Sequence, residues 1–398
     1  MTASQESNEL TSQTSQASLS RRIVLGASLL SGKPSYRQAG VHVYAKHLLN
    51  ALAQTGKPFT VLISPTAITE FANSQLPIAV HPASRTTERP FSRIVVEQIE
   101  TPRMLREMNA SLYHGLGFVA PLRAPCPTIV SVMDLSFITQ PQAHKLFNRT
   151  YLKLFARASC RRAARVITIS EWTKRDVVQH FGIAPERVDA IPLGVAHDHF
   201  KPQTAEVVTA FKAQHNIGNH AIFCLGSLEP RKNLPRLIEA FSLLTSSFSL
   251  ATSQLFVGGN PAWKYDDVFA RIKQLGLEDR VKLIGRVSDD DLPKWYASCA
   301  VTAYPSLYEG FGLPPLEAMA CGAPVVTSNV TSLPEVVGDA GLMVDPTDVQ
   351  ALSDALARVL NDDALRAEMQ AKSLARACEF TWQKTAARTM ESYRKVIE

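Results

Sequence analysis

Short apolar segments rich in β-branched residues alternate along the chain with longer segments of helical period. The alternation occurs in both halves, and it predicts α/β layers built on parallel sheets. The predicted strands lie at 22–27, 59–64, 111–114, 128–133 and 166–170 in the first half, and at 221–225, 254–258, 281–284, 300–304, 324–327 and 341–344 in the second. The pattern therefore predicts two sheet-based domains.

The two series of strands are joined by a segment at 191–202 that contains Pro and Gly. A chain of 398 residues is long enough for two domains of ordinary size. We predict an N-terminal domain at 21–200, a C-terminal domain at 201–380 and a closing helix within 381–398. Residues 1–20 are rich in Ser, Thr and Gln and lack an apolar core, so we expect a disordered tail and not a signal peptide.

The most distinctive motif runs from 304 to 317 and reads YPSLYEGFGLPPLE. Gly310 and Gly312 let the backbone approach a ligand closely, and the helix predicted behind them offers free N–H groups to an anion. Glu309 and Glu317 add two carboxylates that accept hydrogen bonds from hydroxyls. A sugar joined to a nucleotide diphosphate carries both an anion and hydroxyls. The alternative is a tight turn followed by a first-turn glutamate that the helix dipole favours.

This motif resembles the E-x7-E motif of retaining GT-B glycosyltransferases of the family GT4. The resemblance continues through 318–326, 333–338 and 341–346. It implies an α/β fold of the GT-B class, in which two Rossmann-like domains face each other across a cleft. It also implies that the N-terminal domain binds the acceptor, that the C-terminal domain binds the nucleotide sugar, and that the C-terminal helix packs on the N-terminal domain.

The activity implied by the resemblance is retaining transfer of a hexose, of the mannose or glucose type, from a nucleotide-diphosphate sugar. The implied acceptor is a glycan or a lipid-linked glycan in cell-surface polysaccharide or lipopolysaccharide assembly. We expect no further cofactor and no metal. The acidic runs at 266–267 and 289–291 are interpreted as helix starts, where acidic residues are favourable, and not as metal sites.

A second motif, GSLEPRKN at 226–233, follows a predicted strand and precedes a helix whose expected N-cap is Asn233. Arg231 and Lys232 then stand beside a helix N-terminus, where positive charge is unfavourable unless an anion binds there. The alternative is two solvated basic residues. The resemblance assigns both residues to the donor diphosphate, and with Glu309 beside the transferred sugar they form the predicted catalytic set. Glu317 is assigned to the ribose hydroxyls.

The resemblance assigns further donor-binding residues, which are Ser227, Val287, Gly310, Phe311, Gly312 and Leu313. Val287 belongs to the segment IGRV at 284–287, which is expected to line the nucleobase pocket. Ser227 stands where many relatives carry arginine. Phosphate binding is therefore expected to depend more strongly on Arg231 and Lys232.

In the first half, the residues expected near the acceptor or the transferred sugar are Gly40, His114, Asp134 and Ser170. Gly40, at the end of a loop at 31–40, could equally mark only a helix entry, and His114 at a strand end is more often structural. Met133 occupies the position where relatives usually carry histidine, and its side chain makes no strong hydrogen bond. Lower activity, a different sugar preference and a non-catalytic sugar-nucleotide-binding partner protein are the alternatives that this departure leaves open.

The first half is strongly basic, because residues 21–200 carry 22 Lys and Arg against 11 Asp and Glu. Such a surface favours an anionic partner. One predicted helix repeats basic residues at every fourth position, and no acidic residue occurs between 141 and 165. These basic residues are Lys145, Arg149, Lys153, Arg157 and Arg161. They suggest peripheral contact with an anionic membrane, with an ordinary solvated helix face as the alternative. Nucleic acid ranks last as a partner, because no recognition motif accompanies the charge.

The six cysteines are scattered without a metal-like spacing, which favours reduced thiols. The predicted location is the cytoplasm, with contact at the inner face of the membrane as a further hypothesis. No run of about 18 apolar residues occurs, so no membrane-spanning helix is predicted.

Overall fold

The computed structural model describes residues 22–30, 40–68, 78–84, 87, 90–141, 146–262 and 265–398. The predictions for the tail at 1–20, for most of the loop at 31–40 and for Lys145 lie outside these residues. Within the described part, the predicted pair of parallel α/β sheets is confirmed.

The first sheet has seven strands in the order β3-β2-β1-β4-β5-β6-β7, and all of its pairings are parallel. Its strands are β1 (Ile23–Ala27), β2 (Phe59–Ile63), β3 (Ile78–Pro82), β4 (Leu112–Gly115), β5 (Thr128–Val132), β6 (Arg165–Thr168) and β7 (Val188–Ala190). The second sheet has six strands in the order β10-β9-β8-β11-β12-β13, also parallel. Its strands are β8 (Ala221–Leu225), β9 (Gln254–Gly258), β10 (Val281–Gly285), β11 (Val301–Tyr304), β12 (Val325–Ser328) and β13 (Leu342–Val344).

All eleven predicted strands are present, whereas β3 and β7 were not predicted. Both missed strands lie at the edges of the first sheet. β3 is largely exposed and ends in His81 and Pro82, and β7 is only three residues long. β3 therefore has a short apolar run on a mostly exposed strand, and β7 is too short to form an apolar run, so neither segment matched the pattern that predicted the other strands.

Helices cover both sheets. Those of the first half are α1 (Gly40–Ala53), α2 (Pro90–Val95), α3 (Thr101–Glu107), α4 (Ser136–Thr139), α5 (Leu146–Arg162) and α6 (Glu171–Phe181), with a π-helical segment, Val96–Glu100, between α2 and α3. Those that follow are α7 (Ala205–His215), α8 (Leu234–Thr245), α9 (Asp266–Gln274), α10 (Leu292–Ser298), α11 (Leu313–Ala320), α12 (Leu333–Val337), α13 (Val349–Asn361), α14 (Asp363–Ala377) and α15 (Trp382–Ile397). No helix among the described residues is both long enough and apolar enough to cross a membrane.

Each sheet has a topological switch point, where the strand order reverses. In the first sheet it lies between β1 and β4, and in the second between β8 and β11. Ligands of parallel α/β sheets bind outside the carboxyl ends of the strands at such points. The segments that follow β8 and β11 contain the two motifs singled out from the sequence, so the fold brings these motifs together.

The C-terminal helix α15 packs back onto the first half, as predicted. Tyr393 on α15 is fully buried, and its hydroxyl lies 2.7 Å from Nδ1 of His114 on β4. Nε2 of His114 lies 2.7 Å from Oγ of Ser131 on β5, which in turn contacts the Tyr44 hydroxyl of α1 at 2.7 Å. This buried series of hydrogen bonds connects α15, β4, β5 and α1, and each of its polar groups has a partner.

Replacement of Tyr393 by Phe is expected to destabilise the protein by about 1–3 kcal/mol, because a buried ring nitrogen of His114 loses its partner. Burial lowers the pKa of His114 to about 3, so the ring does not escape this cost by taking up a proton at neutral pH. The loss is measurable by urea unfolding. Tyr265→Phe, at a half-exposed position, is the matched control, and equal stability of the two variants would contradict the prediction.

Candidate active site

A cavity of about 800 Å³ lies between the two sheets and is lined by residues from both halves. It brings together most of the predicted site. The predicted residues in its lining are Gly40, Asp134, Ser227, Arg231, Lys232, Glu309, Gly310, Phe311, Gly312, Leu313 and Glu317. The sequence motifs of the second half therefore face the start of α1 and the end of β5 across one cleft.

The centre of this site is a buried ion cluster around Glu309, formed by Glu309, Arg231, Lys232 and Tyr304. Arg231 Nη1 lies 2.6 Å from Glu309 Oε2, and Lys232 Nζ lies 2.7 Å from Oε1. The Tyr304 hydroxyl donates to the same Oε1 at 3.0 Å. Burial alone would raise the pKa of Glu309, but the two cations outweigh it and lower that pKa to about 2. Glu309 is therefore ionised at any ordinary pH.

Local backbone geometry holds the two cations in place. Arg231 and Lys232 belong to a 3-10 turn, Pro230–Lys232, that follows β8. Arg231 also bonds Glu229 Oε1 at 2.8 Å and the backbone oxygen of Tyr308 at 2.9 Å. The guanidinium is thus oriented before any ligand binds, which is the arrangement that favours electrostatic stabilisation of a leaving anion.

Asn233 stands at the N-cap position of α8, as predicted, but its side chain does not cap the helix. Its backbone has a positive φ of 60°. Its amide nitrogen instead donates to the backbone oxygens of Pro305 and Pro346, at 3.0 Å and 2.7 Å. The predicted capping role was wrong, and the side chain fixes the loops that follow β11 and β13.

Gly310 is required by a contact within the protein. A Cβ at this position would lie 2.1 Å from the backbone oxygen of Met133 and 2.9 Å from Cβ of Asp134. The sequence had suggested that glycine served close approach to a ligand, whereas the structure shows close approach to the other half of the chain. Gly312 has a different reason, since it stands at the N-cap of α11 with a φ of 117°, which L side chains rarely adopt.

Glu317 differs from Glu309, although both carboxylates belong to the same motif. It lies in α11, and its Oε2 accepts a hydrogen bond of 3.3 Å from the Tyr296 hydroxyl. Burial raises its pKa to about 7, and the nearby Asp289 carboxylate adds to the shift. Ligand hydroxyls that donate to the carboxylate would stabilise its ionised form.

Three predicted site residues do not line the cavity. His114 lies inside the first sheet, bonded to Tyr393 and Ser131, and has a structural role. Ser170 caps α6, and its hydroxyl donates to the backbone oxygen of Gly310 at 2.7 Å, so it supports the site from behind. Val287 packs against Gly258 beyond the end of β10. For these three, direct contact with a ligand stays a prediction.

In the lining are several residues that the sequence reasoning did not place in the site. These are Lys46, His47, Asp198, His199, Glu229, Asp289, Asp290 and Tyr304. Lys46 and His47 lie on α1, the helix that begins at Gly40. Their helical spacing from Gly40 could have identified them in the sequence. Asp289 and Asp290 precede α10, where a helix start was correctly predicted. Their place in the cavity lining was not predicted, because it depends on how the two halves of the chain lie together. Among the described residues, no group of three or more His, Cys, Asp and Glu side chains could hold a metal ion.

Replacement of Glu317 by Gln is expected to stabilise the protein at pH 8 but not at pH 4. The pKa of Glu317 is raised on folding, so the folded state loses stability as pH rises from the unfolded pKa, about 4.3, to about 7. The neutral amide avoids that loss, which is at most about 4 kcal/mol at about 1.4 kcal/mol per pKa unit. Thermal unfolding of both proteins from pH 4 to 8 measures it, and parallel profiles would refute it.

Two family models match the chain. The family described as Glycosyl transferases group 1 matches residues 208–376, and the family described as Glycosyltransferase Family 4 matches residues 39–199. Between them the two matches cover most of both halves, including the ion cluster and the start of α1.

Proteins of similar sequence include several mannosyltransferases. O-antigen chain mannosyltransferase B of Escherichia coli is 34% identical over 290 residues, which are 73% of this chain and 76% of that protein. Serotype-specific mannosyltransferase WbdA of Escherichia coli is 34% identical over 244 residues, or 61% of this chain, but the match spans only 30% of WbdA. MMP alpha-(1->4)-mannosyltransferase of Mycolicibacterium hassiacum is 33% identical over 242 residues, which are 60% of this chain and 55% of that protein.

Solved structures of similar fold cover nearly the whole chain. HepE of Anabaena, solved in complex with UDP, has a TM-score of 0.72 at 21% identity and covers 94% of this chain and 100% of that one. Sucrose-phosphate synthase of Thermosynechococcus elongatus has a TM-score of 0.73 at 21% identity and covers 94% and 98%. At such identity the likeness establishes the fold alone.

Proposed function

The chain belongs to the glycosyl transferases group 1 family and is a GT-B glycosyltransferase, and we propose that it is a retaining mannosyltransferase that uses a nucleotide-diphosphate mannose. The ion cluster around Glu309 carries this proposal, because it places two oriented cations beside the N-terminus of α11 in a cleft between two domains. Relatives named as mannosyltransferases favour mannose as the transferred sugar. The name of one of them, an O-antigen chain mannosyltransferase, favours a glycan or lipid-linked glycan of a cell-surface polysaccharide as the acceptor.

The proposed chemistry is electrostatic. The acceptor hydroxyl attacks on the face from which the diphosphate departs, as the family resemblance implies. Arg231, Lys232 and the positive end of the α11 dipole stabilise the charge that develops on the leaving diphosphate. Glu309 holds the two cations and contacts the transferred sugar, and Glu317 accepts hydrogen bonds from the ribose. The proposal includes no metal and places the reaction in the cytoplasm.

A second function has specific support in Met133 and Ser227, which replace residues that relatives usually carry. The chain would then hold a sugar nucleotide without transferring its sugar. Both carboxylates and both cations of the motifs are nevertheless present and assembled, which favours catalysis. Sugar transfer from any nucleotide donor to any acceptor would exclude the binding-only function.

Replacement of Lys232 by Ala is expected to lower the rate of transfer about 10²–10³-fold, because one of the groups that stabilise the leaving diphosphate is removed. In thermal unfolding, GDP or UDP at about 100 times its dissociation constant should add about 2.7 kcal/mol to the wild-type protein and much less to the variant. The preferred nucleotide identifies the donor base. The matched control is Lys372→Ala, which removes an exposed lysine on α14 that pairs with Glu368.

Normal transfer by Lys232→Ala would contradict the proposed site. Stabilisation of the wild-type protein by a nucleotide, without transfer to any acceptor, would instead favour the binding-only function.

We further propose that the first half contacts an anionic membrane through α5 and the neighbouring helix α2. On α5, Lys153, Arg157 and Arg161 are exposed, and Leu154 between them is 61% exposed. α2 lies beside it, because Arg93 packs over the Tyr151 ring of α5, and it exposes 75% of Phe91. Basic residues and exposed apolar side chains on one surface are the combination that binds anionic lipid.

The variant Lys153→Glu/Arg157→Glu is expected to lose flotation with anionic liposomes at low salt, since each basic residue near the surface contributes about 1 kcal/mol. Lys372→Glu/Lys384→Glu, which reverses the same number of charges on the second half and α15, is the control. Wild-type protein that stays in solution with anionic liposomes would refute the proposal, and so would equal flotation of the two variants.

A further inference from the structure

Glu335 reaches from the second half of the chain to the start of α6 in the first half. Its Oε2 accepts a hydrogen bond from the backbone N–H of Glu171 at 2.8 Å, and its Oε1 accepts one from that of Trp172 at 2.6 Å. The next N–H, that of Thr173, is bonded to the Ser170 hydroxyl at 3.0 Å. Two of the first three N–H groups of α6 are therefore satisfied only when the two halves are together, and the helix dipole strengthens this contact with a carboxylate.

The segment that carries Glu335 also holds the loop of the ion cluster. Ser332, three residues before Glu335, donates from its hydroxyl to the backbone oxygens of Glu309 and Phe311, at 2.9 Å and 2.7 Å. The backbone oxygen of Glu335 is fixed in turn by Arg376 Nη2 of α14 at 2.7 Å. Glu335 is thus anchored within its own half, and the segment that carries it is hydrogen-bonded to the loop at 309–311.

The start of α6 contacts the same loop from the opposite side. The hydroxyls of Ser170 and Thr173 lie 2.7 Å and 3.2 Å from the backbone oxygen of Gly310. The loop is therefore held between Ser332 of its own half and the first turn of α6 of the other half. Glu335 and the loop that contains Gly310 therefore both contact the first turn of α6.

We propose that Glu335 is a positioning residue, which couples closure of the two halves to the geometry of Glu309. Glu335 is not part of the cavity lining, so it acts through α6 and the loop and not by contact with substrate. Without its carboxylate, the N–H groups of Glu171 and Trp172 turn to water and α6 loses this contact with the second half, while the contacts of Ser170 and Thr173 with the Gly310 oxygen remain. This inference rests on the proposed function, because its main readout is sugar transfer.

The test compares Glu335→Ala, Glu335→Gln and the control Glu368→Ala, which removes an exposed carboxylate of α14. For Glu335→Ala we expect kcat to fall about tenfold or more, because small misplacements of reacting groups lower the rate strongly. The dissociation constant of the donor nucleotide should change by less than about threefold, since donor-binding residues of the second half are untouched. Glu335→Gln keeps one acceptor oxygen for α6, so it should recover part of kcat. Glu368→Ala should behave as wild type.

Amide hydrogen exchange provides a second readout on the same proteins with saturating nucleotide. Exchange at Glu171 and Trp172 should become faster in Glu335→Ala, while exchange in the middle of α6 stays unchanged. An unchanged kcat in Glu335→Ala would overturn the inference, and so would an equal loss in the Ala and Gln variants together with a general loss of stability. A wild-type protein without any transfer activity would count against the proposed function instead, and the exchange measurement would then still decide whether Glu335 fixes α6.

Discussion

The buried ion cluster around Glu309 is the interaction on which the rest of the site depends. An ionised carboxylate that is only 7% exposed is stable only with charged partners and hydrogen bonds, and loss of one partner of such a group typically costs several kcal/mol. Its partners arrive from different elements: Arg231 and Lys232 from the turn after β8, and Tyr304 from the end of β11. Because β8 and β11 are neighbours at the switch point of the second sheet, the parallel topology itself assembles the cluster.

The surroundings of two glutamates of one motif shift their pKa values in opposite directions. The pKa of Glu309 is lowered to about 2 beside two cations, whereas burial raises the pKa of Glu317 to about 7. The charges on the Glu309 side of the cleft are therefore paired before a ligand binds. On the Glu317 side, hydroxyl donors of a ligand would stabilise the ionised carboxylate. In the proposed function, the ribose hydroxyls of the donor meet the Glu317 side of the cleft and its diphosphate meets the Glu309 side.

The sequence predicts those features that depend on local pattern. The buried central strands were found because they are apolar and β-branched, and the residues of the two motifs were found because each motif is contiguous. The contacts of Gly310, Ser170 and Asn233 were not found. Ser170 and Gly310 are 140 positions apart, and hydrophobic period carries no information about such a pairing. The same reason explains why glycine at 310 was assigned to a ligand when its tightest neighbour is the backbone of Met133.

The contact between Gly310 and Met133 also bears on the residue type at position 133. Gly310 packs against the backbone oxygen of Met133, which any residue at this position would supply. The turn that follows is fixed by Asp134, whose Oδ1 accepts hydrogen bonds from the backbone N–H and the hydroxyl of Ser136, at 2.9 Å and 2.7 Å. Neither interaction uses the side chain of Met133. A methionine at this position therefore leaves the junction of the two halves intact, and its largely buried side chain contributes to the lining of the cavity.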